Sequence, residues 1–412
     1  MKIYLVGGAV RDKLLGLTVQ DRDWVVVGAN AQILLDLGYQ NVGKDFPVFL
    51  HPQTHEEYAL ARTERKTARG YTGFQFNANQ EVTLEQDLMR RDLTINAMAE
   101  DDSGCLIDPY GGQQDLQNKI LRHVSPAFTE DPVRILRVAR FAARYDFSVA
   151  PETMILMKQM VANGEVEHLV AERVWQEIAK GLMEKYPRKM IEILRECGAL
   201  KVLLPEIDAL FGVPQRAKYH PEIDAGIHTL LTLQRAADLH FTLPERYAAL
   251  LHDLGKARTP KEILPKHIGH DLAGIKPIEA VNQRLRAPKD CAQLALLVCR
   301  FHIRLHQIDK VVHASKILKV LQQTDALRRP ERFQAALNVC QADQQGRLGK
   351  ENMYYAQRDL WLTFLAAAQK VDGKTIAKTF SGSPERIAQE IYQARCTAIK
   401  HAMYHIRYNV KY

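Results

Sequence analysis

The sequence predicts an α+β protein in which a small mixed sheet with helices between its strands precedes a long, almost wholly helical region. Short β-branched or aromatic runs such as IYLV, DWVVVG and PVFLH alternate with glycine and polar turns up to about residue 110. Beyond about residue 131, apolar residues recur three and four positions apart, as in VRILRVARFAARY, which is the spacing of helices. We therefore expect a mixed head followed by helical domains.

Length and composition are those of a globular chain with two or three packed units, since 46% of its 412 residues are hydrophobic and 25% are charged. They exclude a peptide hormone, a collagen-like fibre and a disordered tail. The net charge of +8 suits a polyanionic partner without requiring one. The six cysteines form no C-x-x-C pair, which predicts reduced, mostly buried thiols and a cytoplasmic location. No apolar run reaches the roughly 18 to 20 residues that a membrane span needs, so no membrane partner is expected.

Proline and glycine cluster between residues 205 and 221, which indicates a hinge and a boundary near 220. The last part of the chain is helical and polar, with tyrosines among basic residues. We predict four segments: a mixed head (1–125), a helical neck (126–220), a helical domain (221–345) and a helical tail (346–412).

A glycine turn follows the first predicted strand, in the order Gly7, Gly8, Ala9, Val10, Arg11. Backbone N–H groups at the start of the next helix can hold an anion, and Arg11 adds positive charge. A two-glycine turn by itself is equally typical of a plain tight connection.

Two aspartates, Asp21 and Asp23, run directly into the predicted strand WVVV. Alternate residues of a strand share a face, so the sequence predicts convergent carboxylates with Arg22 pointing away. Paired hard oxygen ligands suit Mg²⁺ whose other positions hold water and a triphosphate. An isolated D-x-D is more typical of a solvated turn, and it is the neighbouring motifs that favour the metal site. We interpret Glu57 as a surface acid rather than a third carboxylate.

Two arginine-rich clusters follow. Residues 90–97 read RRDLTINA, where cations beside a carboxylate and an amide can bind phosphate and ribose, although a surface helix start is the alternative. Residues 130–140 read EDPVRILRVAR, and Pro132 suits the first turn of a helix. The arginines of this helix are either a solvated face or, with an acid one turn away, a match for the edge of a base.

Taken as an ordered set, LVGGAVRD, DRD, RRDLTINAMA, DPYGG and EDPVRILRVARFAARY resemble the motifs of the class II tRNA nucleotidyltransferases, which include CCA-adding enzymes and related poly(A) polymerases. The resemblance implies a DNA polymerase β-like nucleotidyltransferase head in which Asp21 and Asp23 bind two Mg²⁺. The residues that it implies for nucleotide binding are Gly8, Arg11, Arg91, Asp92 and Asn96.

The resemblance also implies that side chains, rather than a template strand, read the incoming base. The matching positions are Asp131 and Arg134, with Arg137 and Arg140 along the nucleotide. A carboxylate and a guanidinium fit the edges of C and A, whereas G and U present the wrong donors and acceptors. Residues 172–177 match a following helix that braces this reader. The segment Thr63–Glu85 is either a loop that repositions the reader between C and A or an ordinary solvent loop.

Histidines mark a second cluster: His228, the string LLHDLGK with His252 and Asp253, then His270 and His302. Mixed nitrogen and oxygen ligands suit a divalent transition metal, although 15 histidines will also produce accidental clusters. The string resembles the HD phosphohydrolase superfamily. That resemblance implies His228, His252 and Asp253 as ligands of Ni, Co or Mn, with further ligands drawn from His270, His302 and Asp343. It implies 2′,3′-cyclic phosphodiesterase, 2′-nucleotidase or phosphatase activity.

A nucleotidyltransferase head joined to an HD domain resembles the bacterial CCA-adding enzymes of the proteobacterial type. The expected function is template-independent addition of C, C and A to the 3′ end of tRNA from CTP and ATP, with the helical domains on the tRNA acceptor arm. The alternatives are a poly(A) polymerase, an HD hydrolase with an RNA-binding head, and a nucleotide sensor. Related poly(A) polymerases carry two basic residues after the glycine at position 43, whereas Lys44 here precedes Asp45, which favours CCA addition. Both a monomer and a homodimer are compatible with the sequence.

Overall fold

The computed structural model describes residues 1–42, 48–66, 74–77, 80–380 and 383–409. The pair Lys44–Asp45 and part of the predicted loop after Thr63 lie outside these ranges. The chain forms two compact units, Met1–Leu203 and Leu204–Tyr412. Strands lie in the first unit and helices in both, which confirms the predicted α+β class. None of the described helices combines the length and apolarity that crossing a bilayer requires.

The strands of the first unit are short. They are β1 (Lys2–Val6), β2 (Asp23–Val27), β3 (Gln40–Asn41), β4 (Val48–Leu50), β5 (Glu57–Leu60), β6 (Thr63–Lys66), β7 (Phe74–Asn77), β8 (Ala99–Glu100), β9 (Leu106–Ile107), β10 (Ile120–Leu121) and β11 (Ser148–Val149). Seven of them form one mixed sheet in the order β3-β4-β5-β2-β1-β8-β9. The pair β6–β7 is antiparallel, so the segment predicted as a loop contains a strand pair.

Residues on β2 alternate between the two faces of this sheet, as period-two patterning requires. Val25 packs with Val6, Leu88 and other buried residues on one face. Val26 packs with Phe49 and its neighbours on the opposite face. The sheet therefore has an apolar core on both sides, and its polar strand ends are left to line a cavity.

The helices of the first unit cover the sheet and form the neck. They are α1 (Gly8–Leu14), α2 (Ala31–Asp36), α3 (Leu84–Met89), α4 (Gly112–Asn118), α5 (Val133–Tyr145), α6 (Pro151–Ala162), α7 (Ala171–Met183), α8 (Pro187–Glu196) and α9 (Ala199–Leu203), with 3₁₀ turns at Thr94–Asn96, Pro126–Glu130 and Glu165–His168. Helix α5 starts after Pro132, and the Asp131 side chain accepts a hydrogen bond from the Val133 amide, as a capping acid does. It ends where Asp146 adopts a left-handed φ of 60°.

Among the described residues of the second unit, the regular elements are helices joined by turns and loops. Its helices are α10 (Pro205–Asp208), α11 (Ala225–Asp238), α12 (Leu243–Leu251), α13 (His270–Ala273), α14 (Ile275–Leu285), α15 (Lys289–His306), α16 (Ala314–Gln323), α17 (Pro330–Gln345), α18 (Ala356–Gln369), α19 (Gly373–Thr379) and α20 (Pro384–Asn409), with 3₁₀ turns at Leu254–Arg258, Lys261–Ile263 and Ile308–Lys310. Helix α12 begins with a capping box between Thr242 and Glu245.

The glycine of the LLHDLGK string has a packing reason. A Cβ on Gly255 would lie 1.9 Å from the backbone oxygen of His270, so only glycine lets α13 approach the end of α12. This close approach brings His270 beside Asp253.

Candidate active sites

A cavity of about 680 Å³ opens in the first unit between the ends of β1, β2 and β5 and the helices α5 and α7. Seven arginines and five carboxylates lie among its lining residues, which suits an anionic ligand accompanied by cations. The predicted site residues in its lining are Gly8, Arg11, Asp23, Arg91, Asp92, Asn96, Asp131, Arg134 and Arg137. Asp21 and Arg140 are not among them.

The carboxylates at one end of the cavity come from neighbouring strands. Strand β2 begins at Asp23, so Asp21 lies in the preceding loop rather than on the strand. Its charge nevertheless reaches Asp23: partial loss of solvent raises the pKa of Asp23, Arg91 lowers it, and Asp21 raises it. Arg22 points away, with its guanidinium 3.8 Å from the Glu56 carboxylate.

Glu57, interpreted from the sequence as a surface acid, lies next to Asp23 in this cavity. Strands β2 and β5 are parallel, and their register pairs Asp23 with Glu57. Glu57 is exposed, yet it lines the cavity. Asp23 and Glu57 thus supply oxygen ligands side by side, the donor set that Mg²⁺ prefers, with room for water and substrate oxygens.

The glycine turn brings the chain close to the arginines. Gly7 has a φ of +68°, and a Cβ there would lie 2.8 Å from an Arg91 nitrogen. The positive φ favours glycine at position 7, and the absence of a side chain lets the Arg91 guanidinium lie close to the backbone. The neighbouring Gly8 opens α1 and approaches the Arg11 guanidinium, so this turn and two guanidinium groups share one wall of the cavity.

Arg11 is held from several sides although it is only 4% exposed. Its Nε donates to Asp12 over 2.9 Å, and its guanidinium also donates to Asn96. The rings of Phe141 and Tyr145 each lie 5.2 Å from its central carbon. A buried guanidinium with this many contacts is fixed before any ligand arrives.

Asp92 organises the middle of the cavity. Its carboxylate accepts hydrogen bonds from Asn96 over 2.9 Å and from Arg137 Nε over 2.7 Å. Burial opposes its ionisation, but the charge of Arg137 and the hydrogen bond from Asn96 outweigh burial and hold the pKa of Asp92 well below its usual range. Asp92 therefore stays charged and locks two of the predicted nucleotide-binding side chains.

The two predicted base-reading residues are also immobilised. Both Asp131 oxygens accept from Arg173, over 3.1 and 2.7 Å, in a bidentate pair. The Arg134 guanidinium donates to the backbone oxygens of Ala127 and Arg90 over 2.7 and 2.6 Å. The orientations of this acid and this guanidinium are thereby set by the protein.

Arg140 lies behind the cavity wall. Its Nε donates to Glu177 over 2.6 Å, and its guanidinium lies 3.8 Å from Glu184. The reasoning from sequence missed Asp87, which is fully buried and accepts from Arg90 and Arg91 over 2.8 and 3.3 Å. Asp87 stands three and four residues before these arginines on a helix, so the spacing itself carried a signal.

In the second unit, the predicted histidine cluster forms around Asp253, which is 1% exposed. His252 Nε2 lies 3.1 Å from Asp253 Oδ2, and His228 Nε2 lies 3.8 Å from the same oxygen. His270 and His302 direct their Nε2 atoms to Asp253 Oδ1, over 3.3 and 3.7 Å. Asp253 therefore stands between two groups of possible ligands, one with His228 and His252 and one with His270 and His302.

Backbone carbonyls orient three of these rings. The Nδ1 atoms of His252, His270 and His302 lie 2.8, 2.6 and 2.9 Å from the carbonyl oxygens of residues three positions earlier. Donation from Nδ1 leaves each Nε2 as a lone pair that faces Asp253. The Nε2 atoms of His270 and His302 lie 3.1 Å apart. A cation between them is what this arrangement fits.

Other atoms of the cluster support that fit. Among the described residues, His252 Nε2 and Asp253 Oδ1 are buried without an aligned hydrogen-bond partner. Burial and the nearby His270 lower the pKa of His302 to about 3, so its ring is neutral and able to coordinate. Burial opposes ionisation of Asp253, but His252 and Lys256 outweigh it and hold its pKa well below the usual range.

Asp343, the predicted last ligand, joins the cluster from α17. Its Oδ1 lies 3.0 Å from His228 Nε2, and its Oδ2 lies 2.7 Å from His306 Nε2. A cavity of about 390 Å³ adjoins these groups, and its lining includes Lys256 and Arg347. The sequence analysis missed His306, although it stands four residues after His302 and therefore on the same face of α15.

Three family models match the chain. The poly A polymerase head domain matches residues 3–122, the probable RNA and SrmB-binding site of polymerase A matches residues 146–211, and the HD domain matches residues 226–343. Curated relatives include the multifunctional CCA protein of Neisseria meningitidis serogroup A, which is 70% identical over 97% of this chain and 96% of its own length. The protein of the same name from Methylobacillus flagellatus is 60% identical over 98% of both chains.

Solved structures of CCA-adding enzymes have the same fold. One apo form has a TM-score of 0.69 at 23% identity and covers 97% of this chain and 88% of its own. The Thermotoga maritima enzyme complexed with tRNA has a TM-score of 0.64 at 21% identity over 98% and 91% of the two chains.

Proposed function

The chain belongs to the family of the multifunctional CCA proteins, and on that premise we propose that it adds C, C and A to the 3′ end of tRNA, using CTP and ATP without a template strand. The observation that supports this most directly is the cavity of the first unit. The same cavity is lined by the oxygen ligands Asp23 and Glu57 and by the immobilised pair Asp131 and Arg134.

In this proposal the tRNA 3′-hydroxyl attacks the α-phosphate in line, and pyrophosphate leaves. Two Mg²⁺ held by Asp21 and Asp23 would supply activation of the hydroxyl and neutralisation of the leaving group. Arg11 and Arg91 bind the triphosphate from the wall formed by the glycine turn. Asp92 keeps Asn96 and Arg137 in place for the sugar and phosphates, and Arg140 holds the neck helices through Glu177.

Base selection falls to Asp131 and Arg134. A carboxylate accepts from the exocyclic amino groups of C and A, while a guanidinium donates to their ring acceptors. U and G present a carbonyl and a ring N–H at those positions, so an acceptor would meet the carboxylate and a donor would meet the guanidinium. The bidentate contact from Arg173 fixes the Asp131 carboxylate before a nucleotide binds. The free energy of nucleotide binding therefore does not include the entropic cost of ordering this side chain.

Incubation with a tRNA that lacks its CCA end, followed by sequencing of the extended product, tests this function. We expect addition of two C residues and then one A when CTP and ATP are both present. Long A tracts without C would instead identify a poly(A) polymerase, the activity whose name the head-domain model carries. No incorporation of any nucleotide would leave the HD hydrolase with an RNA-binding head.

For the second unit we propose a metal-dependent phosphohydrolase site. His228, His252 and Asp253 would hold a transition metal such as Ni, Co or Mn, with His270, His302 and Asp343 as further ligands. The metal would supply an activated water for attack on a phosphoester. Lys256 and Arg347 lie in the adjoining cavity, where cations bind phosphate. Release of phosphate or opening of a 2′,3′-cyclic phosphate with each metal tests this site, and equal rates for Asp253→Ala and the unsubstituted protein would overturn it.

Domain limits and partners complete the proposal. The matched ranges 3–122, 146–211 and 226–343 support a head, a neck and an HD domain near the predicted limits 1–125, 126–220 and 221–345. We propose that the neck, the HD domain and the basic tail bind the tRNA acceptor arm by shape and charge, which predicts weaker binding at higher salt. The six cysteines are free and four are buried, which supports the proposed cytoplasmic location.

A further inference from the structure

The contact that orients His228 differs from the contacts that orient the other rings of the cluster. His252, His270 and His302 place Nδ1 on a backbone carbonyl. His228 instead has Glu222 Oε1 2.9 Å from its Nδ1, with both side chains fully buried and no aligned hydrogen bond at that nitrogen within the described part of the chain. A buried carboxylate acts on the neighbouring ring through a full negative charge in a medium that screens poorly, whereas a carbonyl offers only a dipole.

Glu222 has a second imidazole beside it. His220 Nδ1 lies 3.0 Å from the same oxygen, and its ring meets the His228 ring at a centroid distance of 4.6 Å. The carboxylate is thus enclosed by two imidazoles. On its other side, His228 directs Nε2 to Asp343 and Asp253.

The backbone around Glu222 is constrained in a way that keeps this contact. Ile223 adopts a φ of +61°, although it is β-branched and 51% exposed. Its carbonyl accepts a hydrogen bond from the Gln215 amide, and the following Asp224 caps α11 through the Ile227 amide. The strained residue therefore links the carboxylate to the start of the helix that carries His228.

We propose that Glu222 is a positioning residue for the HD site: its buried carboxylate lies against the Nδ1 edge of His228, so that Nε2 is the nitrogen presented to a divalent metal, and its negative charge makes that ring a stronger donor. The inference rests on the proposed metal site of the second unit. Residues that orient metal-bound histidines in this way typically contribute about 10- to 100-fold to metal affinity.

Titration of the metal-free full-length protein with Ni²⁺ and with Co²⁺ by calorimetry tests this proposal. For Glu222→Gln we expect about 10- to 100-fold weaker binding with unchanged stoichiometry, and an unchanged thermal midpoint without metal. Glu222→Asp keeps the charge and should recover part of the affinity, which separates the electrostatic effect from loss of shape. Glu279→Gln, on the exposed face of α14, is the matched control and should bind as the unsubstituted protein does.

His220→Gln separates positioning from direct ligation, because His220, Glu222 and His228 could themselves hold an ion. Positioning predicts nearly full affinity for this variant. A loss equal to that of Glu222→Gln, with one metal fewer bound, would make Glu222 a ligand and overturn the inference. Unchanged affinity in Glu222→Gln would also overturn it, while leaving the HD site standing. If the unsubstituted protein binds no divalent metal, both the role of Glu222 and the proposed HD metal site are wrong.

Discussion

The two candidate sites of this chain are built on opposite plans. In the first unit, the carboxylates of Asp23 and Glu57 are exposed at strand ends and leave most of any coordination sphere to water and substrate. In the second unit, His228, His252 and Asp253 are at most 1% exposed, and the protein itself supplies most donors. An open site with oxygen ligands suits a metal that binds together with its triphosphate substrate. A closed cluster of nitrogen and oxygen ligands suits a metal that stays bound to the protein.

The largest expected effect separates the two sites. Asp23→Ala should lower nucleotide incorporation by about 10³-fold, the several kcal/mol that metal-ion charge stabilisation supplies, without changing phosphohydrolase activity. Asp253→Ala should do the reverse. Both activities are measured on the same preparations, with Asp102→Asn on an exposed turn as the control. Loss of both activities in either variant would contradict two independent centres.

A smaller effect is expected where one side chain positions another. Arg173→Gln removes the bidentate contact to Asp131, so the preference for CTP over UTP should fall by about 10- to 100-fold, which lies within the 1 to 3 kcal/mol that a bidentate base contact is worth. Single-nucleotide incorporation rates for CTP and UTP measure this ratio. Arg188→Gln, at an exposed arginine of α8, should leave it unchanged, and an unaltered ratio in Arg173→Gln would show that Asp131 needs no brace.

Acid should destabilise the first unit. Asp87 and Asp92 have lowered pKa values, since Arg90, Arg91 and Arg137 outweigh the opposing effect of burial. A carboxyl with a lower pKa in the folded state stabilises the fold above its unfolded pKa of about 3.9 and loses that contribution as the pH falls further. We expect the free energy of unfolding of the first unit to drop below about pH 4, and Asp92→Asn to flatten this dependence.

Tryptophan fluorescence can report on that unit alone. The chain has three tryptophans, of which Trp24 and Trp175 lie in the first unit and Trp361 in the second. Denaturant unfolding of Trp361→Phe across pH 2 to 7 therefore follows the first unit. If the free energy of unfolding of Trp361→Phe depends on pH in the same way with and without Asp92→Asn, the role given to Asp92 is wrong.

The smallest effect concerns the strained turn beside the histidine cluster. Ile223→Asn places a residue that tolerates a positive φ at this position, so the second unit should gain about 1 kcal/mol. Unfolding followed by Trp361 in a Trp24→Phe, Trp175→Phe background measures it. Ile268→Asn is the control, since Ile268 is 79% exposed without a positive φ. An equal gain in both variants would point to lost surface apolarity instead of relieved strain.

The site residues that the sequence could predict lie in contiguous motifs. The glycine turn, RRDLTINA and the α5 arginines each hold their residues within a short contiguous segment, so local spacing was enough to group them. Asp343 was found only through family resemblance, because its place depends on the packing of α17 against α11.

Other residues had no local signal. Glu57 meets Asp23 only through the parallel register of β2 and β5, and it was interpreted as a surface acid. Glu222 lies in a proline-rich turn, and nothing in its neighbours indicates that a strained Ile223 directs it toward His228. His306 is different, because its spacing from His302 on one helix was available and was not used.

The most direct test of the central claim is base selection by Asp131. We compare the rates at which a tRNA lacking its CCA end accepts each of the four nucleotides, using the unsubstituted protein and Asp131→Ala. If side chains read the base, the preference for C over U and for A over G collapses in the variant while slow incorporation persists. Preferences that survive unchanged would show that the acid and the guanidinium on the cavity wall do not choose the nucleotide.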